Sequence, residues 1–360
     1  MKLRKIPFVF FVALLFIGLS TGEGSAATCT ISADTLINQA YIDSNSCSAI
    51  TISASVSTTW VGTTDLTGAG TVTVNSGVTM TMGTSSAMVL GSTDDVTVNG
   101  TIAHATSDPS GIQITARNIT VASGGTIRAD GNGCVGGASG GANGYGPNTG
   151  TGVCAITTSG YGKGYGGGGA YAGTGGRGGY TEDSSQTTAY GLSASTAPTL
   201  LGAGGGGGSN AVTELGGNGG GRITLTLTGT LTVTGTITAN GQAGSGENNI
   251  GGGGGSGGSI HIVTATLAGS GSISANGGNG GPTGTGNGGG GGGAGRIAVY
   301  YDTLSGFSLG SVLATGGAKA TGSNGVNGGA GSVWLLDRRT DDGAGNPRIT
   351  SGFDFSASTD

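Results

Sequence analysis

The stretch RITLTLTGTLTVTGTITANG, residues 222–241, decides the fold. Apolar residues alternate with threonine over short runs, and each run stops at a glycine or an asparagine. Period-2 alternation over three to six residues between such breaks is strand and turn chemistry. The same order follows in SIHIVTATLAGSGSISANGG from Ser259 and in RIAVYYDTLSGFSLGSVLATGG from Arg296. The junctions at Gly221-Arg222-Ile223, Gly258-Ser259-Ile260, Gly295-Arg296-Ile297 and Gly331-Ser332-Val333 recur at steps of 37, 37 and 36 residues. A repeat of this length marks a solenoid or an array.

Three short strands with tight turns use about 20 residues, one coil of a parallel β-helix whose rungs pair at ~4.8 Å. Stacking the units predicts one interior ladder of Ile223, Ile260, Ile297 and Val333, and a second of Ile237, Ile273 and Leu313. The remaining residues of each unit are a glycine tract, as in GGGGGGAGRIAV at 288–299, looped out from one corner of the coil. Glycine suits a long loop because each doubling of length adds only ~0.6 kcal/mol of closure cost. It also admits positive φ and close backbone approach, so a flexible fringe and a packed glycine layer are both open, with partial order expected.

Earlier in the chain, GIQITARNITVASGGTIRADGNG, residues 111–133, repeats the unit at Ile112, Ile114, Ile119, Val121, Ile127 and Ala129. TVTVNSGVTM and DVTVNGTIAHA carry the alternation without glycine tracts. Helical periodicity is not visible after the leader. The organisation read from the sequence is a leader at 1–26, plain coils at 27–131, a Gly/Tyr-rich insertion at 132–221, glycine-fringed coils at 222–345 and a tail or truncated coil at 346–360.

The leader MKLRKIPFVFFVALLFIGLSTGEGSAA has a basic tip, an apolar run from Ile6 to Leu19 and a small-residue cleavage site, the pattern of a secretory signal peptide. Its apolar run is short for a membrane span. The formal charge is −5, and −7 without residues 1–26. An acidic chain with no Lys/Arg run is a poor partner for nucleic acid or anionic membrane, and no later segment reads as a span. Four cysteines in an exported chain suggest disulfides, and their spacing favours Cys29 with Cys47 and Cys134 with Cys154, out of three possible pairings.

Glycine blocks running into Arg-Ile or Ser-Ile, short strands and Ala-Asn-Gly-Gly resemble the glycine-rich parallel β-helix regions, pectin-lyase-like or adhesin-like, of bacterial secreted and cell-surface proteins. The resemblance spans most of the chain after residue 50 and is clearest from Gly216 to Leu336. It implies an all-β, right-handed parallel β-helix acting as a non-enzymatic extracellular or cell-surface scaffold.

Function is then sought in the insertion, which holds Tyr145, Tyr161, Tyr165, Tyr171, Tyr180 and Tyr190, with Lys163 and Arg177 nearby. Tyrosine stacks on sugar rings and pairs with cations, so the first five tyrosines and these two cations are candidate contacts to extracellular polysaccharide or another surface protein. Arg222 and Arg296 share one register two coils apart, placed to tie the glycine tract to the coils through its carbonyls. The alternative is a polysaccharide lyase or hydrolase, which needs a carboxylate cluster. Asp94-Asp95, Glu182-Asp183 and Asp337 with Asp341-Asp342 are the clusters available, and the last could hold calcium loosely; no cofactor is otherwise implied. His104 and His261 read as isolated surface or stacking side chains. The threonines at 224–238 are similar to those of flat ice-binding faces. Such a face needs the file on successive coils, and the equivalent places hold His261, Val263, Ala298 and Tyr300, which makes ice binding the least favoured reading.

Overall fold

The computed structural model describes residues 27–149, 151–156, 161–163, 165–179, 187–190, 196–208, 213–246, 250–282, 287–321, 323–341 and 347–354. The leader, Tyr180, Glu182, Asp183 and Asp342 lie outside these residues. The chain is a parallel β-helix. Three eight-stranded sheets run the length of the stack, and each coil contributes one strand to each of two or three of them in turn. The first face begins with Ala27–Ile31 and continues through Cys47–Ile52, Thr71–Val74, Asp95–Val98, Asn118–Val121, Thr230–Val233, Thr266–Gly269 and Thr303–Ser305. The second face includes Thr79–Met82, Thr101–His104, Thr126–Arg128, Thr236–Thr238 and Ser272–Ser274. The third includes Ile112–Ala116, Arg222–Leu227, Ser259–Val263, Arg296–Tyr301 and Ser332–Asp341.

The interior ladders follow from the alternation. Ile112 pairs with Ile223, Ile223 with Ile260, Ile260 with Ile297 and Ile297 with Val333. Each is buried, and a buried aliphatic side chain contributes roughly 1.5–3 kcal/mol. The second expected ladder is off by one at its last rung. Ile237 pairs with Ile273, but Ile273 pairs with Val312, and Leu313 stands outside at 44 % exposed. A 3₁₀ turn at Leu309–Ser311 resets the register just before that strand, and a one-residue slip exchanges the two faces.

Asparagine and aspartate ladders pin the corners. The Asp130 carboxylate accepts from Asn240 N (2.6 Å), Asn240 Oδ1 from Asn276 N (2.8 Å) and Asn276 Oδ1 from Thr315 N (2.9 Å). Each side chain thus satisfies a turn N–H on the next coil.

The first coil departs from the strand-only expectation. A short helix, Gln39–Asn45, stands between its second-face strand and the next coil. Asn38 Oδ1 caps it by accepting from Tyr41 N, Ser46 ends it in a left-handed conformation, and buried Ile42 anchors it. At the other end, Pro347–Asp354 turns back antiparallel along Ser332–Asp341 instead of opening another coil. Both predicted disulfides are present, Cys29–Cys47 and Cys134–Cys154, a pairing that suits an oxidising compartment. Among the described residues no helix is long and apolar enough to cross a membrane.

The described residues of the glycine tracts are ordered. They leave each coil between the second and third faces as pairs of extended limbs, for example 239–246 with 250–258 and 275–282 with 287–295. Along 250–258 the N–H groups sort by threes. Gly251, Gly254 and Gly257 donate to Asn287, Gly290 and Gly293; Gly252, Gly255 and Gly258 to Ser245, Gln242 and Ala239; Gly253 and Ser256 to Gly206 and Ala203. A polyproline-II-like limb has three residues per turn and no internal hydrogen bonds, so its donors point to three different neighbours. The limbs therefore pack as a slab beside the coils. Glycine is needed for space: a Cβ at Gly254 or Gly255 would fall inside the carbonyl oxygen of Gly278 or Asn218, and neither residue has positive φ.

Candidate functional surfaces

The insertion at 132–221 belongs mainly to this slab. Cys134 and Gly137 donate to Gly202 and Gly205, Gly169 donates to Gly254, and Gly176 to Gly291. The four candidate tyrosines among the described residues differ in exposure. Tyr145, Tyr161 and Tyr165 are half-buried, as is Lys163, and Arg177 is exposed. Tyr171 is fully buried and so cannot contact a ligand at the surface.

What Tyr171 does instead joins the insertion to the third face. Its hydroxyl lies 2.8 Å from Ser259 Oγ, and that serine donates to Leu200 O at 2.6 Å. The Arg296 guanidinium stacks over the Tyr171 ring at 5.2 Å. It also donates to Tyr190 O at 2.8 Å and to Ser332 Oγ at 3.3 Å. Tyr190 packs 4.9 Å from Tyr171 and donates to Leu201 O at 2.6 Å. Burial raises the pKa of both phenols, so the hydroxyls stay protonated as this network needs. Arg296 thus ties the inserted chain to the coils through the Tyr190 carbonyl. Arg222 is half-buried, donates to Thr224 Oγ1 and Pro109 O, and its pKa is lowered by desolvation.

Asp94, Asp95, Asp302 and Asp337 are engaged in the scaffold, whereas the buried Asp108 Oδ2 has no partner among the described residues. Asp94 points inward and accepts from Leu66 N (2.9 Å) and Gly70 N (2.8 Å). Asp95 points outward into a bidentate pair with Arg117, whose hydrogen bonds hold its pKa below the ordinary value. The two neighbours face opposite ways, as strand geometry requires. Asp302 pairs with Arg338 at 2.7 Å and Asp337 with Arg339 at 3.7 Å. Among the described residues no three His, Cys, Asp or Glu side chains converge.

His104 is not a surface histidine. It is buried at 2 % exposure with Nδ1 donating to Ala105 O, while Nε2 packs against the Gly221 backbone and has no partner among the described residues. Desolvation lowers its pKa. His261 faces outward and meets Tyr300 edge-on at 5.7 Å.

The three outward faces differ. On the third, the row through Thr224 continues as His261, Ala298 and Trp334, and the row through Thr226 as Val263, Tyr300 and Leu336. The insertion also covers part of this face: Ala298 is fully buried, and Tyr300 donates to Thr196 O. On the second, Thr79, Thr101, Thr126, Thr236 and Ser272 align, with Thr236 donating to Thr126. On the first, Thr30, Thr51, Thr73, Thr97, Thr120 and Thr232 occupy six successive rungs without a break. Aligning the units at their glycine-to-strand junctions compares third-face strands and hides this file. Its signal is the repeated x-apolar-Thr-apolar of TVTV (71–74), DVTV (95–98), NITV (118–121) and TLTV (230–233).

No family model, no curated protein and no solved structure matches this chain.

Proposed function

We propose that this chain is an exported, non-enzymatic scaffold that presents flat surfaces outside the cell, in the manner of the adhesin-like glycine-rich β-helices it resembles. The observation that carries the reading is the structural employment of Asp94, Asp95, Asp130 and Asp302. Asp94 fastens a turn, Asp95 and Asp302 neutralise arginines, and Asp130 starts a corner ladder. A lyase or hydrolase needs carboxylates held free for calcium or for proton transfer. The leader and the disulfides support export. Extracellular polysaccharide is the ligand class proposed for Tyr145, Tyr161, Tyr165, Lys163 and Arg177 on the insertion.

The test is to incubate the mature chain with neutral, uronic and sulfated polysaccharides, with calcium or chelator, and to measure both retention and released oligosaccharide. Retention without product is expected. Product that disappears with chelator would overturn the reading and turn attention to the aspartates.

A further inference from the structure

We propose that the first face is an ice-binding surface, an inference that goes beyond the scaffold reading. Three observations carry it. The six-threonine file is in strict register, so its side chains repeat at ~4.8 Å over about 24 Å of stack. Threonine is stiff at χ1, which limits the attitudes its methyl and hydroxyl adopt on a strand surface.

The hydroxyls are also unspent. Elsewhere, Thr234 donates to Val121 O, Thr236 to Thr126 and Thr238 to Asp130. The six threonines of the file make no side-chain hydrogen bond among the described residues, and all are exposed or half-exposed. Finally, the insertion lies over the third face and the limbs leave at the corner between second and third, so nothing in the described chain covers the first.

A partner for this file must itself repeat along a line, carry no charge, and offer lone pairs to hydroxyls while tolerating methyl groups. Crystalline water meets each condition, since the strand repeat lies close to the spacing of equivalent oxygens along an axis of hexagonal ice. A protein partner that is not itself a β-solenoid has no reason to repeat at the rung spacing. The neighbouring column holds Thr71, Asp95 and Asn118, with Asp95 ion-paired to Arg117, so the contact rests on the continuous file.

The experiment measures thermal hysteresis and inhibition of ice recrystallisation by the mature chain, with Thr73→Lys and Thr226→Lys as variants. Thr73 stands within the file and Thr226 is exposed on the third face, so neither change buries the new charge. Far-ultraviolet circular dichroism and thermal unfolding verify that both variants fold. The expected result is ice activity in the wild type, its loss in Thr73→Lys and its retention in Thr226→Lys. Folded wild type that leaves ice growth unchanged would overturn the inference, as would equal activity in Thr73→Lys. The polysaccharide assay on the same proteins separates the two readings: retention without product, together with unaltered ice growth, removes this inference and leaves the scaffold reading standing.

Discussion

Replacing Gly292 by alanine adds one methyl group to the middle of the glycine slab. Gly292 has no positive φ, so alanine is compatible with its backbone, and the cost arises from space alone. The new Cβ would overlap the Gly255 carbonyl oxygen and stand 2.5 Å from its carbon and 3.0 Å from Gly254 O. An ordinary contact is about 3.5 Å, so one limb must retreat by roughly 1.5 Å. Gly292 N donates to Gly278 O at 2.8 Å, Gly317 N to Gly292 O at 2.8 Å and Gly293 N to Gly169 O at 2.8 Å. A retreat of that size takes two or three of these beyond hydrogen-bonding range, at about 1–3 kcal/mol for each buried group left unmet. Stiffening of the unfolded chain offsets only about 0.4–1 kcal/mol. The expected net loss is therefore about 4 kcal/mol, the middle of a range of about 1–8 kcal/mol. Denaturant unfolding measures it, and amide hydrogen exchange over 250–258 and 287–295 locates it. Gly310→Ala is the control, because its Cβ would meet only Ser308 Oγ, at 3.6 Å. If Gly292→Ala unfolds like Gly310→Ala, and the limb amides exchange freely in the wild type, the slab is not the packed layer described and the steric account fails.

Reduction tests the N-terminal disulfide. Cys29–Cys47 spans 18 residues, and a loop of that size contributes about 3 kcal/mol by restricting the unfolded chain, so thermal unfolding of the first coils should move down when reductant is added. pH tests His104. Its folded pKa is depressed by desolvation, so the unfolded chain takes up the proton first as pH falls below the ordinary imidazole value of about 6.5. Stability should be fully present above that value and decline as pH falls through the lower folded pKa. His104→Gln should flatten the part of the slope due to this residue, leaving that of His261, whose pKa is also lowered; an unchanged slope would show that His104 does not titrate with folding.

The coils were legible because strand periodicity acts locally. Ile112, Ile119 and Ile127 sit in the core where the repeat placed them, since alternation and turn residues specify which side chains enter. Leu313 was misplaced because a 3₁₀ turn changes register without altering the apolar count. The slab was undecided for a different reason. Its order comes from backbone groups meeting across tens of residues, and a run such as 288–293 carries no side-chain pattern to record those partners. The same lack concealed Tyr171: its small Ala and Gly neighbours carry no burial pattern, and only the assembled limbs bring it to Ser259 and Arg296. Arg296 begins a strand at the corner where the tract returns, a place that the sequence repeat marks.

In a simple solenoid each coil touches only its neighbours, so stability sums over adjacent interfaces and the ends fray one coil at a time. The coils formed by residues 47–104 follow that rule. Beyond residue 222 the insertion changes the connectivity, because it reaches limbs of three successive coils. Gly169 N bonds Gly254 O, Gly290 N and Gly293 N bond Gly166 O and Gly169 O, and Gly329 N bonds Thr174 O. Opening any one of those coils therefore breaks hydrogen bonds to a segment still held by the other two. Hydrogen exchange should show residues 222–336 opening as one cooperative unit while the N-terminal coils open in steps from their free end. Arg296→Leu removes the guanidinium from Tyr171 and Tyr190 O and should weaken that unit by loosening the insertion. Stepwise exchange through 222–336 in the wild type would mean that the insertion covers the coils without binding them together.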